Sequence, residues 1–528
     1  MIRKKECPVY VGNAVVLCLL FFPFLWAQSQ PQTRSKDAIS DASKACLECH
    51  QESHPGIVAQ WRGSSHFKAG IGCFECHRAE KGEADSFEHN DRTIALLVTP
   101  RDCARCHSAE DKEFEASHHA KAGNILASLD NYLAEIVEGS RVPFPAHSPT
   151  AGKENPTAPV NGMASVQSGC MQCHGAKVSL VATSGGAISV DDLKPGPDGK
   201  PLQAEVLKRI ARDDDGKPVF TSGSWPNTGI GRLNLDGSKG SCSACHSRHD
   251  FSARRARQPE NCGKCHLGPD HPQKEVYEES KHGIAYRDLR DKLNLDSKSW
   301  VLGKDYTAAP TCATCHLSAT ASGLKITHDP GERISWTNRP TISQVMDTDA
   351  EHRVITETDP QKRKALTADS WSQKRNRMQK VCTSCHSSNY VEAFYRQYDD
   401  LVRLYNEKFA KPGAELMKEL AAQKLITPKQ FDERIEWDWY FLWHHEGRRA
   451  RHGASMMAPD YTHWHGMYEV ADRFYMSFVP EVREIVRKAE ESGKKEQAAK
   501  ISALLDAILS RPEHAWFLSP DTPKEKAR

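Results

Sequence analysis

The stretch Cys46-Leu-Glu-Cys49-His50 is the first of eight copies of the pattern Cys-x-x-Cys-His in a chain of 528 residues. We number these copies as motifs one to eight in chain order. Random placement of 18 cysteines and 25 histidines would produce about 0.03 copies in such a chain. Motifs two to eight have as their two cysteines and histidine Cys73, Cys76 and His77; Cys103, Cys106 and His107; Cys170, Cys173 and His174; Cys242, Cys245 and His246; Cys262, Cys265 and His266; Cys312, Cys315 and His316; Cys382, Cys385 and His386.

The spacing of the motif is the one needed to attach a haem covalently. Two thiols three residues apart add to the two vinyl groups of one haem, and the next histidine ligates the iron from below. Zinc binding and dithiol redox chemistry also use Cys-x-x-Cys, but a histidine after every second cysteine argues against both. Only Cys7 and Cys18 lie outside the motifs. The sequence therefore predicts eight covalently bound haem c groups and leaves no cysteine for disulfides.

The histidine count predicts that most irons carry a second imidazole. Seventeen histidines remain after the eight motif histidines, and a buried electron-transfer haem takes histidine as its usual sixth ligand. Each candidate has an alternative interpretation as an ordinary surface or core histidine. The favoured sixth ligands are His66, His118, His119, His249, His282, His328, His452 and His465. Three further candidates, some of which compete with sequence neighbours, are His444, His445 and His463.

The N-terminus predicts export. A basic segment at residues 3–5 precedes the apolar run Val15–Trp26, and the small residue Ala27 is a suitable cleavage point, so residues 1–27 are predicted to be a signal peptide. The alternative, a retained anchor, is disfavoured because the run is short for a membrane span. No later segment is long and apolar enough to span. The balance of 71 basic and 69 acidic residues gives no indication of a nucleic-acid partner.

The predicted fold is mainly α: a haem-packed cytochrome c region at residues 28–389, a C-terminal helical bundle at 390–510 and a tail at 511–528. Apolar residues recur at helical spacing after residue 390. Breaks are predicted at Pro412, at Thr427-Pro428 and at Pro459, with Thr427 capping a helix that begins at Pro428. Aromatic residues concentrated in 437–443 indicate core packing around haem edges.

Three features of the chain resemble the octahaem hydroxylamine oxidoreductases, which include the hydroxylamine- and hydrazine-oxidising enzymes of ammonium-oxidising bacteria. The first is the order and uneven spacing of the eight motifs. The second is Ser247-Arg-His-Asp-Phe-Ser252 together with Gly268-Pro-Asp-His-Pro-Gln273. The third is Met456-Met-Ala-Pro-Asp-Tyr-Thr-His-Trp-His-Gly466. The resemblance runs from motif one to about Phe474.

The resemblance implies a catalytic haem at motif four, with proximal ligand His174 and an open distal face. It implies that Tyr461 is bonded covalently to the porphyrin of a neighbouring subunit, and hence a homotrimer. Asp270 and His271 look like the family's distal acid/base pair. Chemistry supports this assignment, since oxidation of hydroxylamine to nitric oxide releases three protons and three electrons, and a carboxylate beside an imidazole relays protons near neutral pH. A soluble c-type cytochrome would accept the electrons, in the periplasm or an anammoxosome-type compartment.

Three other functions remain open at this stage. Hydrazine oxidation to dinitrogen would use the same groups, and the product from hydroxylamine, nitric oxide or nitrite, is undecided. A nitrite or hydroxylamine reductase is disfavoured because reductive relatives typically lack the cross-linking tyrosine and several replace one motif histidine by lysine. A non-enzymatic electron conduit would have two protein ligands on every iron and would leave Asp270, His271 and Tyr461 without a common purpose.

Overall fold

The computed structural model describes residues 39–123, 166–194, 203–224, 229–335, 347, 349, 355–367 and 369–518. The predicted signal peptide and most of the predicted tail lie outside these residues. The described part is mainly helical, which confirms the predicted fold class. The α-helices before residue 320 are α1 (Asp41–Ser53), α2 (Pro55–Gly63), α3 (Ser65–Lys68), α4 (Cys73–His77), α5 (Pro100–Ala104), α6 (Ser108–Ala116), α7 (Met171–His174), α8 (Gln203–Leu207), α9 (Ser243–His246), α10 (Ala253–Ala256), α11 (Pro259–Cys262), α12 (Gln273–Glu279), α13 (Lys281–Leu289) and α14 (Cys312–Leu317).

These helices are short because the haem motifs interrupt the chain at close intervals. Helices α4, α7 and α9 each end at the histidine of a motif. Short 3₁₀ turns lie at Arg290–Lys292 and Pro330–Arg333. No helix in the described ranges is both long enough and apolar enough to cross a membrane.

Three small two-stranded sheets accompany the short helices. Strands β1 (Ser86–His89) and β2 (Arg92–Ala95) are antiparallel with Ser86 opposite Ala95, and so are β3 (Ser179–Val181) and β4 (Ala187–Ser189). Strands β5 (Val301–Leu302) and β6 (Ala319–Thr320) are parallel. Asn90 and Asp91 form the β1–β2 turn with φ values of 46° and 57°, the left-handed conformation that a two-residue hairpin turn requires.

The C-terminal region is a bundle of longer helices with an apolar core. Two helices precede the bundle: α15 (Pro360–Leu366) and α16 (Trp371–Cys382), which ends at the first cysteine of motif eight. The α-helices of the bundle are α17 (Ser388–Tyr405), α18 (Lys411–Ala422), α19 (Arg434–Tyr440), α20 (Gly447–Met456), α21 (Pro459–Thr462), α22 (Glu469–Asp472), α23 (Val479–Glu491), α24 (Lys495–Leu509) and α25 (Ala515–Leu518). Wider π turns connect several of them at Asn406–Ala410, Phe441–Glu446, His463–Tyr468 and Arg473–Phe478. Buried residues of α17, α18, α23 and α24 form one cluster.

Two predicted helix boundaries are wrong. Thr427 does not cap a helix beginning at Pro428: α19 begins at Arg434, and the Thr427 hydroxyl donates instead to Asp432. The break predicted at Pro412 is also absent, because a π turn carries α17 directly into α18 and Pro412 occupies the first turn, where its missing N–H costs no hydrogen bond. Pro459 does open a new helix, as predicted.

Candidate haem sites and active site

Three motif histidines have a hydrogen-bond partner at Nδ1. His77 Nδ1 donates to Ala95 O at 2.8 Å, and His316 Nδ1 donates to Pro330 O at 3.1 Å. His50 Nδ1 lies 3.0 Å from Nδ1 of His54. A ring held at Nδ1 offers Nε2 to a metal, and such outer contacts set the orientation of metal-binding imidazoles. These residues therefore fit the proximal role that the motif predicts.

Five motif histidines face a second imidazole at the distance that an intervening iron requires. Two metal–nitrogen bonds of about 2 Å, plus about 1 Å from each nitrogen to its ring centre, give a separation of about 6 Å. The observed separations of ring centroids are 6.2 Å for His50–His89, 6.5 Å for His77–His249, 6.1 Å for His107–His66, 6.0 Å for His266–His119 and 6.1 Å for His386–His282. The donor set on this chain therefore fits haem irons held between two histidines.

Two further candidates lie near the remaining motifs. Burial and then the neighbouring His328 lower the pKa of His246 to about 4, so His328 lies beside motif five. A Cβ added at Gly331 would lie 3.6 Å from Cδ2 of His118. The carbonyl of the preceding residue, Pro330, accepts the hydrogen bond from His316 of motif seven, so His118 lies near that motif. These positions are compatible with the predicted roles of His328 and His118 as sixth ligands.

The remaining two favoured histidines lie in the C-terminal bundle. His465 is half exposed, with Nδ1 2.9 Å from Glu469 Oε1 and Nε2 3.4 Å from Asp460 Oδ2. Both of its ring nitrogens therefore contact carboxylates within this chain. His452 is buried on α20, and burial together with nearby Arg451 lowers its pKa to about 3. The ligand roles of His465 and His452 stay predictions.

His89 is a ligand candidate that sequence reasoning missed. It is the last residue of β1, immediately before the Asn90-Asp91 turn, and it faces His50 of motif one. The available sequence signal was Asn90-Asp91, a pair that favours a two-residue hairpin turn. Such a turn places the side chain of the residue before it at the tip of a hairpin.

The variant His89→Met is expected to raise the reduction potential of one haem while leaving haem content unchanged, because methionine in place of histidine favours the reduced iron. Potentiometric titration monitored by electron paramagnetic resonance would measure the change. Gln51→Met, at an exposed and uncharged residue next to His50, is the matched control, with native potentials expected. Unchanged potentials in His89→Met would assign the sixth ligand of motif one to another residue.

Motif four is held by close backbone packing. Gly175, with φ of 77°, follows His174 directly, and the carbonyls of Cys173 and His174 accept hydrogen bonds from Ile230 N at 2.9 Å and Gly231 N at 3.0 Å. A Cβ at position 229 would lie 1.9 Å from Gly175 N. A Cβ at position 231 would lie 2.4 Å from Gly123 N. These contacts require glycine and fix the backbone that carries the proximal His174.

Gly229→Ala is therefore expected to destabilise the protein by about 1–3 kcal/mol, the usual cost of forcing an atom into a packed site, and to disturb motif four first. Thermal unfolding and the spectrum of the haem at motif four would report the two effects. Gly169→Ala is the control, since a Cβ there has no heavy atom of the described chain within 4 Å. Equal behaviour of the two variants would contradict the packing argument.

Asp270 and His271 form a hydrogen-bonded pair beside motif four. His271 Nδ1 lies 2.5 Å from Asp270 Oδ1, and both side chains are mostly buried. Burial opposes ionisation of Asp270, but the hydrogen bond from His271 and nearby positive groups outweigh it and lower the Asp270 pKa to about 2. Burial likewise opposes the charged form of His271, yet Asp270 outweighs it and raises the His271 pKa. Asp270 is therefore ionised, and His271, hydrogen-bonded to it, is a stronger base than an ordinary histidine.

The pair lies between two motifs. His271 is close enough to Cys173 of motif four to act on it electrostatically. The ring centroid of His271 also lies 6.4 Å from that of His266 in motif six. His271 and His119 thus both satisfy the distance criterion at motif six, and the sequence prediction assigns His271 to acid/base chemistry.

Two residues of the bundle complete this cluster. Arg448 Nη1 lies 3.6 Å from Asp270 Oδ2, and His444 Nδ1 lies 3.9 Å from the same oxygen. His444 lies in the π turn Phe441–Glu446, and Arg448 lies in the first turn of α20. Sequence reasoning considered His444 only as a ligand and did not consider Arg448. Their spacing of four residues, which places both on one helix face, was the available signal.

Tyr461 lies on α21, against the helix that follows Asp270 and His271. Its backbone N–H donates to Glu279 Oε2 at 3.4 Å, and its ring centroid lies 5.6 Å from that of His465. Glycines allow this approach: a Cβ at Gly453 would lie 2.6 Å from Tyr461 C, and one at Gly466 would lie 2.4 Å from Tyr461 O. The tyrosine is therefore presented on a closely packed backbone with a partly exposed side chain.

Comparisons with known proteins agree with the haem assignment. A family model described as "Seven times multi-haem cytochrome CxxCH" matches residues 234–431, and one described as "Cytochrome c554 and c-prime" matches residues 102–175. A curated relative from Kuenenia stuttgartiensis, described as a probable nitrite reductase-hydroxylamine oxidoreductase fusion protein, is 27% identical over 276 residues. The match takes in 52% of this chain and 25% of that protein.

Two solved structures share the fold. One, described as a hypothetical multiheme protein, has a TM-score of 0.65 and 26% identity, covering 85% of this chain and 97% of that chain. The other is a reducing HAO-like protein complex of Kuenenia stuttgartiensis, with a TM-score of 0.54 and 19% identity, covering 88% of this chain and 90% of that chain. The chain is thus a multihaem c-type cytochrome similar to the hydroxylamine oxidoreductase-like proteins.

Proposed function

We propose that the chain is an octahaem oxidoreductase that oxidises hydroxylamine at the haem of motif four. The observation that carries this proposal is the hydrogen-bonded pair of Asp270 and His271 beside Cys173. A pure electron conduit has no use for a carboxylate that raises the basicity of a buried imidazole. Such a pair is needed at a site that must accept several protons next to a redox centre.

When bound, the haem would supply an open iron position for the substrate nitrogen and a path for its electrons. His271 would accept substrate protons at Nε2, because its Nδ1 is held by Asp270. Asp270 would fix the ring orientation and stabilise the imidazolium that forms. Arg448, 3.6 Å from the other carboxylate oxygen, would keep Asp270 ionised through the reaction.

The other seven motifs would carry the electrons away through haems held between two histidines. The five imidazole pairs at 6.0–6.5 Å support this role. We further propose export to the periplasm or an anammoxosome-type compartment, and a soluble c-type cytochrome as acceptor. Tyr461 would be bonded to the catalytic porphyrin of a neighbouring subunit in a homotrimer, and its partly exposed side chain is compatible with such a reach.

Reduction of nitrite or hydroxylamine is the second candidate function. The positive charge of Arg448 at the Asp270 pair would attract an anion such as nitrite. The name of one similar structure, a reducing complex, points the same way, whereas the name of the curated relative joins nitrite reductase with hydroxylamine oxidoreductase and so points to both reactions. Tyr461 favours oxidation, and so does the presence of histidine instead of lysine at the end of every motif. Hydrazine oxidation to dinitrogen uses the same groups and stays an alternative substrate.

The test is a set of steady-state assays on the purified, haem-loaded protein. Hydroxylamine and hydrazine are each supplied with oxidised cytochrome c, and nitrite is supplied with a reduced dye, while nitric oxide, nitrite, dinitrogen and ammonium are measured. We expect hydroxylamine oxidation to nitric oxide to be the fastest reaction. Fast nitrite reduction with no oxidation of hydroxylamine would overturn the proposal, and faster dinitrogen formation from hydrazine would reassign the substrate.

A further inference from the structure

Arg451 is a buried cation whose main hydrogen-bonding groups are unused. Its side chain is 1% exposed, and Nε donates to Gly447 O at 3.0 Å within α20. The two terminal nitrogens, Nη1 and Nη2, are buried and have no hydrogen-bond partner among the described residues. A buried guanidinium left in this state is strongly unfavourable, so its partner is expected to be a group that the polypeptide itself does not provide.

The side chains around Arg451 do not neutralise it. The guanidinium carbon lies 4.8 Å from the ring centroid of Tyr405, which gives a cation–π contact on one face. Burial lowers the pKa of Arg451, and the other groups that act on it are Tyr405, Tyr398 and the positively charged Arg448. No carboxylate is among these groups. Arg448, three residues earlier on α20, already contacts the Asp270 carboxylate, so Arg451 is the arginine of this helix face that has no anion among the described residues.

The position of this helix face indicates which anion is available. Helix α20 packs against α12, which follows motif six, and against α17, which follows motif eight. Arg448, three residues before Arg451 on α20, lies 3.6 Å from the carboxylate of Asp270, which is four residues after His266, so this face of the helix lies beside motif six. Each haem carries two propionates, and the planar fork of arginine matches the two oxygens of a carboxylate.

We propose that Arg451 binds a propionate of the haem carried by motif six. The site consists of the unused Nη1 and Nη2 groups of Arg451 and the ring of Tyr405 behind them. The bound carboxylate completes the hydrogen bonds of a residue that is otherwise buried without them. This assignment concerns haem binding and holds whichever substrate the protein uses.

The test compares Arg451→Met, which keeps the volume but removes the charge, with Arg451→Lys, which keeps the charge. Potentials are measured by titration monitored by electron paramagnetic resonance, and the signal of the haem at motif six is identified by its loss in His119→Met. Arg451→Met is expected to shift that haem alone to lower potential, because a nearby cation stabilises the reduced state. Arg451→Lys should retain most of the native potential, and haem content should stay unchanged in both.

Several results would overturn the proposal. Native potentials in Arg451→Met would mean that the residue only packs on Tyr405, and a shift of a different haem would refute the assignment to motif six. Nitrite is added as a free anion probe, and a potential that depends on nitrite in the native protein but not in Arg451→Met would show that a free anion, and not a propionate, occupies the site. If Arg451→Met does not accumulate, Arg451→Gln, which also removes the charge, carries the test, with a shift of the same haem to lower potential expected and no shift overturning the proposal.

Discussion

Replacing Asp270 by asparagine is expected to slow hydroxylamine oxidation by about 10²- to 10³-fold at neutral pH, within the usual contribution of a positioned acid/base group. The amide is neutral, so it no longer raises the basicity of His271 or stabilises the imidazolium formed during turnover. Steady-state rates with oxidised cytochrome c measure the effect. Haem content and the low-spin spectrum should be unchanged, because Asp270 is outside every motif.

The pH profile of the same variant separates a proton-transfer role from a structural one. In the native protein Asp270 is ionised above a pKa of about 2, and the rate should rise with pH as His271 loses its proton through its raised pKa. In Asp270→Asn the raising partner is gone, so the pKa of His271 falls and the acidic limb should move to lower pH. A lower rate with an unmoved acidic limb would contradict the assignment of His271 as base.

Asp296→Asn is the matched control for this substitution. Asp296 is exposed and forms a surface ion pair with Arg254, which contributes little to stability. Native rates and a native pH profile are expected. A comparable loss of activity in Asp296→Asn would show that the assay responds to general changes in charge.

The haem attachment sites could be predicted from the sequence because covalent attachment demands a local pattern. Two thiols and one imidazole must meet one haem, so the requirement is met within five residues and repeats visibly. The histidine pairs have no such local signature. His77 and His249 are separated by 172 positions, and only the fold brings their rings to 6.5 Å. His89 was overlooked for this reason, although it faces a motif histidine only 39 positions away.

Helix content was predictable from apolar spacing, but the joints between helices were not. A π turn differs from an α-helix by a single extra residue per turn, and the apolar pattern of α17 continues through it into α18. Helix α19 starts after Glu433, whose backbone N–H donates to Glu436 Oε2 at 3.3 Å. The more conspicuous Thr427-Pro428 does not begin a helix. The glycine contacts under motif four were equally hidden, because Gly229 and Gly175 meet only in the folded chain.

The same limit applies to the candidate active site. The adjacent Asp270 and His271 can be recognised in the sequence, whereas Arg448 and His444 reach Asp270 from the bundle through tertiary packing. The cluster therefore joins the haem-packed region to the C-terminal helices. Helix α20 supplies Arg448 to the acid/base pair and Gly453 to the packing around the backbone of Tyr461, so one helix helps to position both parts of the proposed chemistry.

Tyr461→Phe is expected to abolish hydroxylamine oxidation while leaving all eight haems attached. Without the phenol oxygen no bond to a porphyrin can form, and by the family resemblance that bond distorts the macrocycle so that it withdraws electrons from the substrate. Backbone packing should not change, since the glycine contacts at Gly453 and Gly466 involve main-chain atoms of Tyr461. On one preparation, mass spectrometry would count the attached haems, optical spectra would report the loss of the porphyrin bond, and steady-state rates would measure hydroxylamine oxidation.

Tyr468→Phe is the control, since Tyr468 is an exposed tyrosine at the end of the neighbouring π turn, with its ring against Trp464. It should oxidise substrate at the native rate. If Tyr461→Phe also does so, the proposed covalent bond is absent and oxidation depends on Asp270 and His271 alone. If Tyr461→Phe loses oxidation but reduces nitrite faster than the native protein, the tyrosine sets the direction of the reaction, because an unmodified haem donates electrons more readily than a cross-linked one.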